Sequence, residues 1–292
     1  MDCTSPVLGI YPCGKCLNCR ARSRQEWVFR LRQEYLSSNF GLFVTLTYDD
    51  ENLPPDGVSI RDVQLFLKRL RKRLRSLLKI PTKEYKFSST MRYFIVSEYG
   101  DHTFRPHYHG ILFFSFDFQQ EIYETIEKSW QNGFVGFGEV EEGSIVYTTK
   151  YCLKGGTVPK GKNENFRLVS KMNGGLGINY VQDKASYHLQ RLDTPSLVTS
   201  YGEQAPMPRY YREKLLGKLS DEEKIEIRLA YQEHVRQHRE LRQINDYKKW
   251  CLRNGRNSSQ LEGFDDYLYW RRLCNDRKAD LFNKHTKKQS IL

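Results

Sequence analysis

Apolar positions along this chain follow two different periods. Between residues 62 and 79, Val63, Phe66, Leu67, Leu70, Leu74, Leu77 and Leu78 keep the 3.6-residue spacing of a helix with one buried face. Trp27, Leu31 and Tyr35 recur every four residues and predict an earlier helix over 20–37. Leu42-Phe43-Val44-Thr45-Leu46-Thr47-Tyr48 is rich in β-branched and aromatic residues and predicts a buried strand. Residues 49–57 hold two prolines and a glycine among acidic residues and read as a loop. Residues 92–99 predict a second strand, with a turn at Gly100-Asp101. The run Arg105-Pro106-His107-Tyr108-His109-Gly110-Ile111-Leu112-Phe113-Phe114 predicts its antiparallel neighbour, with Pro106 at the first position, where no ladder N–H is needed. Ile122, Ile126 and Trp130 mark a helix over 119–131, and Gly133 is expected to stop it. A short strand is expected over 134–140. Ser144 is expected to cap a helix that runs to Lys154 and ends at Gly155-Gly156.

Beyond this, residues 157–208 are rich in Gly, Pro, Ser and Asn and predict loops with short strands. Ser220-Asp221-Glu222-Glu223 is a capping box opening a long helix to about residue 252, and a further helix is expected over 264–285. No internal repeat interrupts this order. The division expected is a domain over 1–208 and a helical region over 209–292.

Composition narrows the class. Of 292 residues, 28% are charged and 13% aromatic, which excludes a disordered or low-complexity chain. The net charge of +12 points to a polyanionic partner, most often nucleic acid, although charge for solubility alone is the plainer reading. No stretch approaches the apolar length of a membrane span, and Met1-Asp2-Cys3-Thr4-Ser5-Pro6 lacks the pattern of a signal peptide. A soluble, cytosolic protein without a membrane partner is expected. Cys13, Cys16 and Cys19 carry overlapping C-x-x-C spacings, and Cys3 offers a fourth thiolate for a structural Zn²⁺. The second C-x-x-C of a zinc ribbon is missing, so thiols packed beside the next helix are the alternative.

The chemistry concentrates at the histidines. Side chains alternate faces along a strand, so His107 and His109 point the same way and two imidazoles can grip one divalent ion. Two exposed polar residues at a strand edge are the alternative reading. Glu98, near the end of the neighbouring strand, is the expected third ligand, and Glu139 or Glu141 could take its place. Tyr147 and Tyr151 lie four apart on one helix face, with Lys150 and Lys154 three residues after each. A pair of core tyrosines beside solvated lysines would look the same. On the helix over 62–79, Lys68, Arg69, Arg71, Lys72, Arg73 and Arg75 surround the apolar face and are expected to meet DNA phosphates, with an ordinary solvated face or a membrane-surface helix as alternatives.

Together these features resemble the HUH endonucleases that start rolling-circle replication. Phe43-Val44-Thr45-Leu46-Thr47-Tyr48 is similar to that family's first motif. His107-Tyr108-His109 is similar to the second, with Tyr108 where an aliphatic residue is more usual. Tyr147, Tyr151 and Lys154 are similar to the third in its two-tyrosine form. Cys13-Gly14-Lys15-Cys16, Cys19-Arg20, Phe66-Leu67-Lys68-Arg69-Leu70 and Pro208-Arg209-Tyr210-Tyr211 resemble the replication-initiation proteins of small single-stranded DNA phages, the gokushovirus branch of the microviruses. The resemblance covers roughly residues 11–215.

It implies an α+β fold with a central antiparallel sheet and flanking helices, related to the ferredoxin-like and RNA-recognition architecture. It implies a nickase that forms a 5′-phosphotyrosine through Tyr147 or Tyr151 and later rejoins the strand. Free tyrosine, with a pKa of about 10, is a poor nucleophile, and a neighbouring ammonium favours its phenolate. Mg²⁺ or Mn²⁺ suits mixed imidazole and carboxylate ligands. The implied partners are an origin in single-stranded or supercoiled DNA and the host helicase and polymerase, in the cytoplasm of a bacterial host. An HUH transposase or relaxase, or a non-catalytic single-strand binding module, would share parts of this pattern.

Overall fold

The computed structural model describes residues 14, 17–81, 83–84, 90–150, 158–190, 196–198, 204–217, 219–256, 263–269 and 271. In chain order the elements are α1 (Leu17–Leu36), β1 (Phe40–Tyr48), α2 (Ile60–Leu77), β2 (Met91–Tyr99), β3 (Pro106–Phe114), α3 (Glu121–Glu127), β4 (Gly133–Glu139), α4 (Glu142–Lys150), β5 (Arg167–Val169), α5 (Ile178–Leu189), β6 (Ser196–Val198), β7 (Gln204–Pro206), α6 (Arg209–Leu216) and α7 (Asp221–Arg253). The chain divides into two units, Met1–Gln182 and Asp183–Leu292.

The first unit is an α+β layer structure around a five-stranded sheet in the order β4-β1-β3-β2-β5. Every pairing is antiparallel. From β1 to β4 the elements run β-α-β-β-α-β, the order of a ferredoxin-like core. The two-residue strand period sorts side chains onto two faces. Leu42, Val44, Leu46 and Tyr48 of β1, Met91, Ile95 and Tyr99 of β2, and Tyr108, Leu112 and Phe114 of β3 pack with Val63, Phe66, Leu67, Leu70 and Leu74 of α2 and with Ile122, Ile126 and Trp130. Phe94, Val96, Ile111 and Phe113, from the other face, pack with Leu31 of α1, Ile145 of α4 and Leu176. The sheet is therefore covered on both faces, α2 and α3 on one and α1 and α4 on the other.

Local chemistry explains the element ends. Ser59 caps α2, its hydroxyl accepting the Asp62 N–H at 3.2 Å. Two arginines of α1 hold α4: Arg24 donates to the Val146 carbonyl at 3.2 Å, and Arg32 pairs with Glu142. Arg30 donates twice to the Leu176 carbonyl, at 3.1 and 3.0 Å. Much of α1's positive charge is thus used in holding its own unit together.

In the second unit β6 and β7 form an antiparallel pair, and α7 opens on a capping box between Ser220 and Glu223. Tyr247 and Cys251 of α7 are buried with Tyr267 in a small cluster flanked by Trp250, Phe264 and Leu268. Residues 264–269 are helical, which agrees with the start of the helix expected there.

Three expectations need correction. Helix α5 lies in a stretch read as loops and strands; it follows Gly174, Gly175 and Gly177, all at positive φ, and its apolar signal is short, with Ile178 and Val181 its buried apolar residues. Ser144 is not the cap of α4 but sits inside it, its hydroxyl accepting the Glu141 N–H and donating to the Glu141 carbonyl, both at 2.9 Å. Gly133 does not close α3, which ends at Glu127; it opens β4 at a φ of +147°. A Cβ there would stand 2.4 Å from both the Asp49 nitrogen and the Thr47 carbonyl oxygen. Gly133→Ala is accordingly expected to lower unfolding free energy by about 2 kcal/mol or more, from backbone strain together with the clash, as read by urea denaturation.

Candidate active site

The centre is built from three strands. The register sets Glu98 of β2 opposite His107 of β3, and Thr45 of β1 opposite His109. Residues directly opposite across an antiparallel pair share a face, so Glu98, both histidines and Thr45 all lie on the face covered further along by α1 and α4. The Glu98 Oε2 atom is 3.2 Å from His107 Nε2 and 3.3 Å from His109 Nε2. The ligand atoms of all three residues lie within 4.8 Å of one another. His109 is 6% exposed and the other two are half-buried, which keeps the cluster dry on its inner side and open on its outer side.

Each imidazole is held through its other nitrogen. His107 Nδ1 lies 3.2 Å from the Arg105 carbonyl, an acceptor only, so Nδ1 carries the proton and Nε2 keeps its lone pair in the neutral ring. His109 Nδ1 lies 3.2 Å from the Thr45 hydroxyl, and the Phe43 ring stacks on the imidazole at 5.8 Å between centroids. Burial pulls the His107 pKa down, but the Glu98 carboxylate, the Arg105 carbonyl and the Asp101 charge outweigh it, and the net shift is upward. Arg105 itself is fixed by Asp50 at 2.6 Å and by the Tyr48 carbonyl at 3.1 Å.

Two imidazole nitrogens and a carboxylate oxygen about 3 Å apart match the spacing of neighbouring donors on one hexacoordinate ion with bonds near 2.1 Å. The donor set fits Mn²⁺ or Mg²⁺. Among the described residues, Glu98 is the carboxylate that joins the histidines, and Glu139 and Glu141 do not.

Helix α4 brings the tyrosine. The Tyr147 hydroxyl is 3.5 Å from His109 Nε2, and its ring meets those of His109 and Phe43 edge-on at 5.1 and 6.2 Å. Tyr147 is 41% exposed, so its hydroxyl is both near the donor cluster and open to a ligand. Lys150 stands exposed in the last turn of α4. Tyr151 and Lys154 lie outside the described residues, as do Cys3, Cys13 and Cys16. Cys19 is buried on α1, and no cysteine tetrad is present among the described residues.

The opposite face carries what sequence reasoning missed. Tyr108, between the two histidines, is fully buried beneath the sheet. Its hydroxyl accepts the Ser59 N–H at 2.7 Å and lies 2.8 Å from the Tyr48 hydroxyl, which donates to Asp62 at 2.8 Å. Burial pushes the Tyr108 pKa up to about 12 and Tyr48 higher still, so both stay protonated donors. The histidine strand is thereby bolted to the N-terminus of α2. Only the strand period and the cap at Ser59 could have signalled this in the sequence. The α2 cations occupy this same side, with Lys68, Arg71 and Lys72 exposed, Arg73 and Arg75 half-buried, and Arg69 donating to the Ser129 carbonyl at 2.7 Å.

Known proteins match this arrangement. A family profile described as replication-associated protein ORF2 matches residues 41–156, the stretch from β1 through α4 that supplies the described centre. The chain is 30% identical over 218 residues to replication-associated protein VP4 of Bdellovibrio phage phiMH2K, covering 70% of this chain and 66% of that one. The chain belongs to the phage replication-associated protein family. Replication-associated protein ORF2 of Spiroplasma virus 4 is 29% identical over 72% of this chain and 69% of its own. Replication-associated protein ORF4 of Chlamydia phage 1 is 26% identical over 73% of this chain and 55% of its own. The matched stretch therefore spans about two thirds of the first two relatives and just over half of the third. No solved structure matches the chain. None of the helices searched among the described residues is long and apolar enough to cross a membrane.

Two measurements probe the centre. Titration calorimetry with Mn²⁺ is expected to give one site per chain, weakened tenfold or more by Glu98→Ala, the loss of one of three protein ligands. Tyr108→Phe is expected to lower stability by about 1–2 kcal/mol in urea, because the Ser59 N–H loses its acceptor and the Tyr48 hydroxyl a partner.

Proposed function

We propose that this family member is a replication initiator that nicks one strand of phage origin DNA through a tyrosine nucleophile, keeps the 5′ end as a phosphotyrosine, and rejoins the strand after a round of rolling-circle synthesis. The observation that carries the proposal is the Tyr147 hydroxyl 3.5 Å from His109 Nε2, beside three converging donors. A nucleophile, a site for a divalent ion and an exposed cation on one face of a sheet are the parts that phosphodiester transfer needs.

His107, His109 and Glu98 would hold Mg²⁺ or Mn²⁺, which when bound supplies Lewis-acid polarisation of the phosphate oxygens. Arg105 and Thr45 orient the imidazoles. The Tyr147 oxygen attacks phosphorus and its proton leaves to solvent. The Tyr–O–P bond forms as the bond from phosphorus to the 3′ oxygen breaks, and that oxygen takes up a proton to become the 3′-hydroxyl. Lys150 places an ammonium near the charge that develops on the phosphate. Tyr151 and Lys154 would supply a second nucleophile and cation, so that one tyrosine carries the 5′ end while the other attacks the regenerated origin. The 3′-hydroxyl then displaces the first tyrosine and closes a circle; the bond energy held in the phosphotyrosine makes ATP unnecessary.

On this reading the nuclease domain extends over residues 1–208, with 209–292 a helical region of separate role. The α2 cations Lys68, Arg69, Arg71, Lys72, Arg73 and Arg75 would contact phosphates of the origin on the far side of the sheet. The substrates are single-stranded and supercoiled DNA, and the setting is the cytoplasm of a bacterial host, with its helicase and polymerase as partners. A zinc site at Cys3, Cys13, Cys16 and Cys19 remains part of the proposal.

The test is incubation with circular single-stranded and supercoiled phage-type DNA, with and without Mn²⁺, read on a denaturing gel. Wild type should give a Mn²⁺-dependent covalent adduct whose nucleotide maps by mass spectrometry to Tyr147 or Tyr151. Tyr147→Phe and Tyr151→Phe should each still cleave but fail at repeated rounds with circle closure. The double mutant should bind DNA and form no adduct. An adduct that maps to Tyr48, Tyr108 or Tyr180, or wild-type nicking in His107→Ala with His109→Ala, would sink the mechanism.

A further inference from the structure

The face that carries the centre has two outer edges, and both present groups that the chemistry above does not use. On one side the register runs His107 to Thr47 to Phe134, from β3 through β1 to β4. Directly opposite residues share a face, so the Phe134 ring projects on the side of the histidines. It is 70% exposed. The next position on that face of β4 is Gly136, where an added Cβ would come no nearer than 3.8 Å to anything. An open strip thus lies between the exposed ring and the histidines.

On the other side the register runs His109 to Val96 to Arg167, from β3 through β2 to β5. Arg167 is exposed, and its guanidinium lies 4.8 Å from the centroid of the Trp27 ring. Arg30 approaches the same ring at 4.3 Å. Neighbouring strands are about 4.8 Å apart, so Phe134 and Arg167 each stand two strands, about 10 Å, from the histidine strand on opposite sides. The apolar side chains Leu31, Ile145 and Leu176 cover Phe94, Val96, Ile111 and Phe113 further along the strands. The row holding Phe134, Thr47, His107 and Glu98 lies beyond that cover.

A large exposed aromatic ring on an edge strand is unfavourable in water unless something covers it. What would cover this one must reach the centre and carry both planar apolar faces and negative charge. Unpaired DNA has both, since bases stack on aromatic rings whatever their sequence and phosphates pair with guanidinium groups. We propose that unpaired DNA crosses the sheet at this end, with one base stacked on Phe134 and a phosphate held by Arg167, so that the scissile phosphate lies between them at the centre. The inference deepens the proposed function and rests on it for the identity of the strand. It also divides the positive charge: Arg167 would hold the unpaired strand on the histidine face, and the α2 cations would lie on the other.

The test uses a fluorescein-labelled 20-nucleotide oligothymidylate and a duplex of equal length, with EDTA present so that no strand is cut. Anisotropy should show Phe134→Ala binding the oligonucleotide about five- to a hundredfold more weakly than wild type, the range for losing one stacked base. Phe134→Trp should restore binding, as a mere gain in solubility would not. Arg167→Ala should weaken binding and lower the slope of log affinity against log salt by about 0.7, the signature of one lost phosphate contact on a single strand. Duplex affinity should change less than twofold in each variant. Wild-type oligonucleotide affinity in Phe134→Ala, or no oligonucleotide binding by wild type, would overturn the inference. The adduct assay separates the two readings. An adduct formed by wild type, with Phe134→Ala binding unimpaired, defeats this inference alone. Phe134-dependent binding with no adduct defeats the nuclease reading alone.

Discussion

The two-residue period of β3 is the constraint on which the rest depends. Because β3 is the central strand, it is paired on both sides and its register is fixed by β1 and β2 together. A slip of one residue would turn Tyr108 toward solvent and both histidines into the apolar core. Tyr108 opposes that slip physically. Its ring is buried against Trp130 and Phe166, and its hydroxyl is spent on the Ser59 backbone and on Tyr48. The same residue that separates the histidines in sequence anchors them in space. Where an aliphatic side chain would contribute packing alone, the phenol adds directional hydrogen bonds to a neighbouring helix.

That anchoring shapes the energetics of the centre. Three polar groups crowd within hydrogen-bond distance at one end of a sheet that is apolar along the rest of the same face. Without support such a cluster would relax toward water. Here the support is distributed: the Arg105 carbonyl and the Thr45 hydroxyl hold the two Nδ1 atoms, Phe43 stacks on His109, and Arg105 is itself clamped by Asp50 and Tyr48. The supporting groups come from β1, from the turn before β3 and from the loop after β1, which are brought together only by the sheet. Preorganisation of this kind leaves less rearrangement to be made when a charged ligand arrives.

Much of this was legible in the sequence. The spacing of His107 and His109 implied a shared face, and the short turn at Gly100 implied an antiparallel partner that brings Glu98 alongside. Both inferences need only the strand period and a tight turn, which are local. The placement of Tyr147 against His109 required knowing that α4 packs on the histidine face, a tertiary fact set by Leu31, Ile145 and the arginines of α1. The side occupied by α2 was likewise hidden, since an amphipathic period says that a helix has an apolar face and not which face of a sheet receives it. Helix α5 escaped because the glycines before it dominate the composition of its neighbourhood.

Positive charge divides in the same way between what is local and what is tertiary. In the sequence α1 and α2 look alike, two amphipathic helices dense in positive charge, and both invite assignment to nucleic acid. In the fold their charges serve different ends. Arg24, Arg30 and Arg32 of α1 donate to the Val146 carbonyl, the Leu176 carbonyl and Glu142, and so position α4 and the segment after β5. Hydrogen bonds from a charged donor to a backbone carbonyl are strong for the desolvation they require, and a guanidinium can make two at once. Arg69 makes one of the same kind, to the Ser129 carbonyl just after α3. Net charge measures the attraction between this chain and a polyanion, but it overstates the number of side chains available for contact. The cations that matter for binding are those still exposed after the fold has taken its share, and on the histidine face these include Lys150 and Arg167.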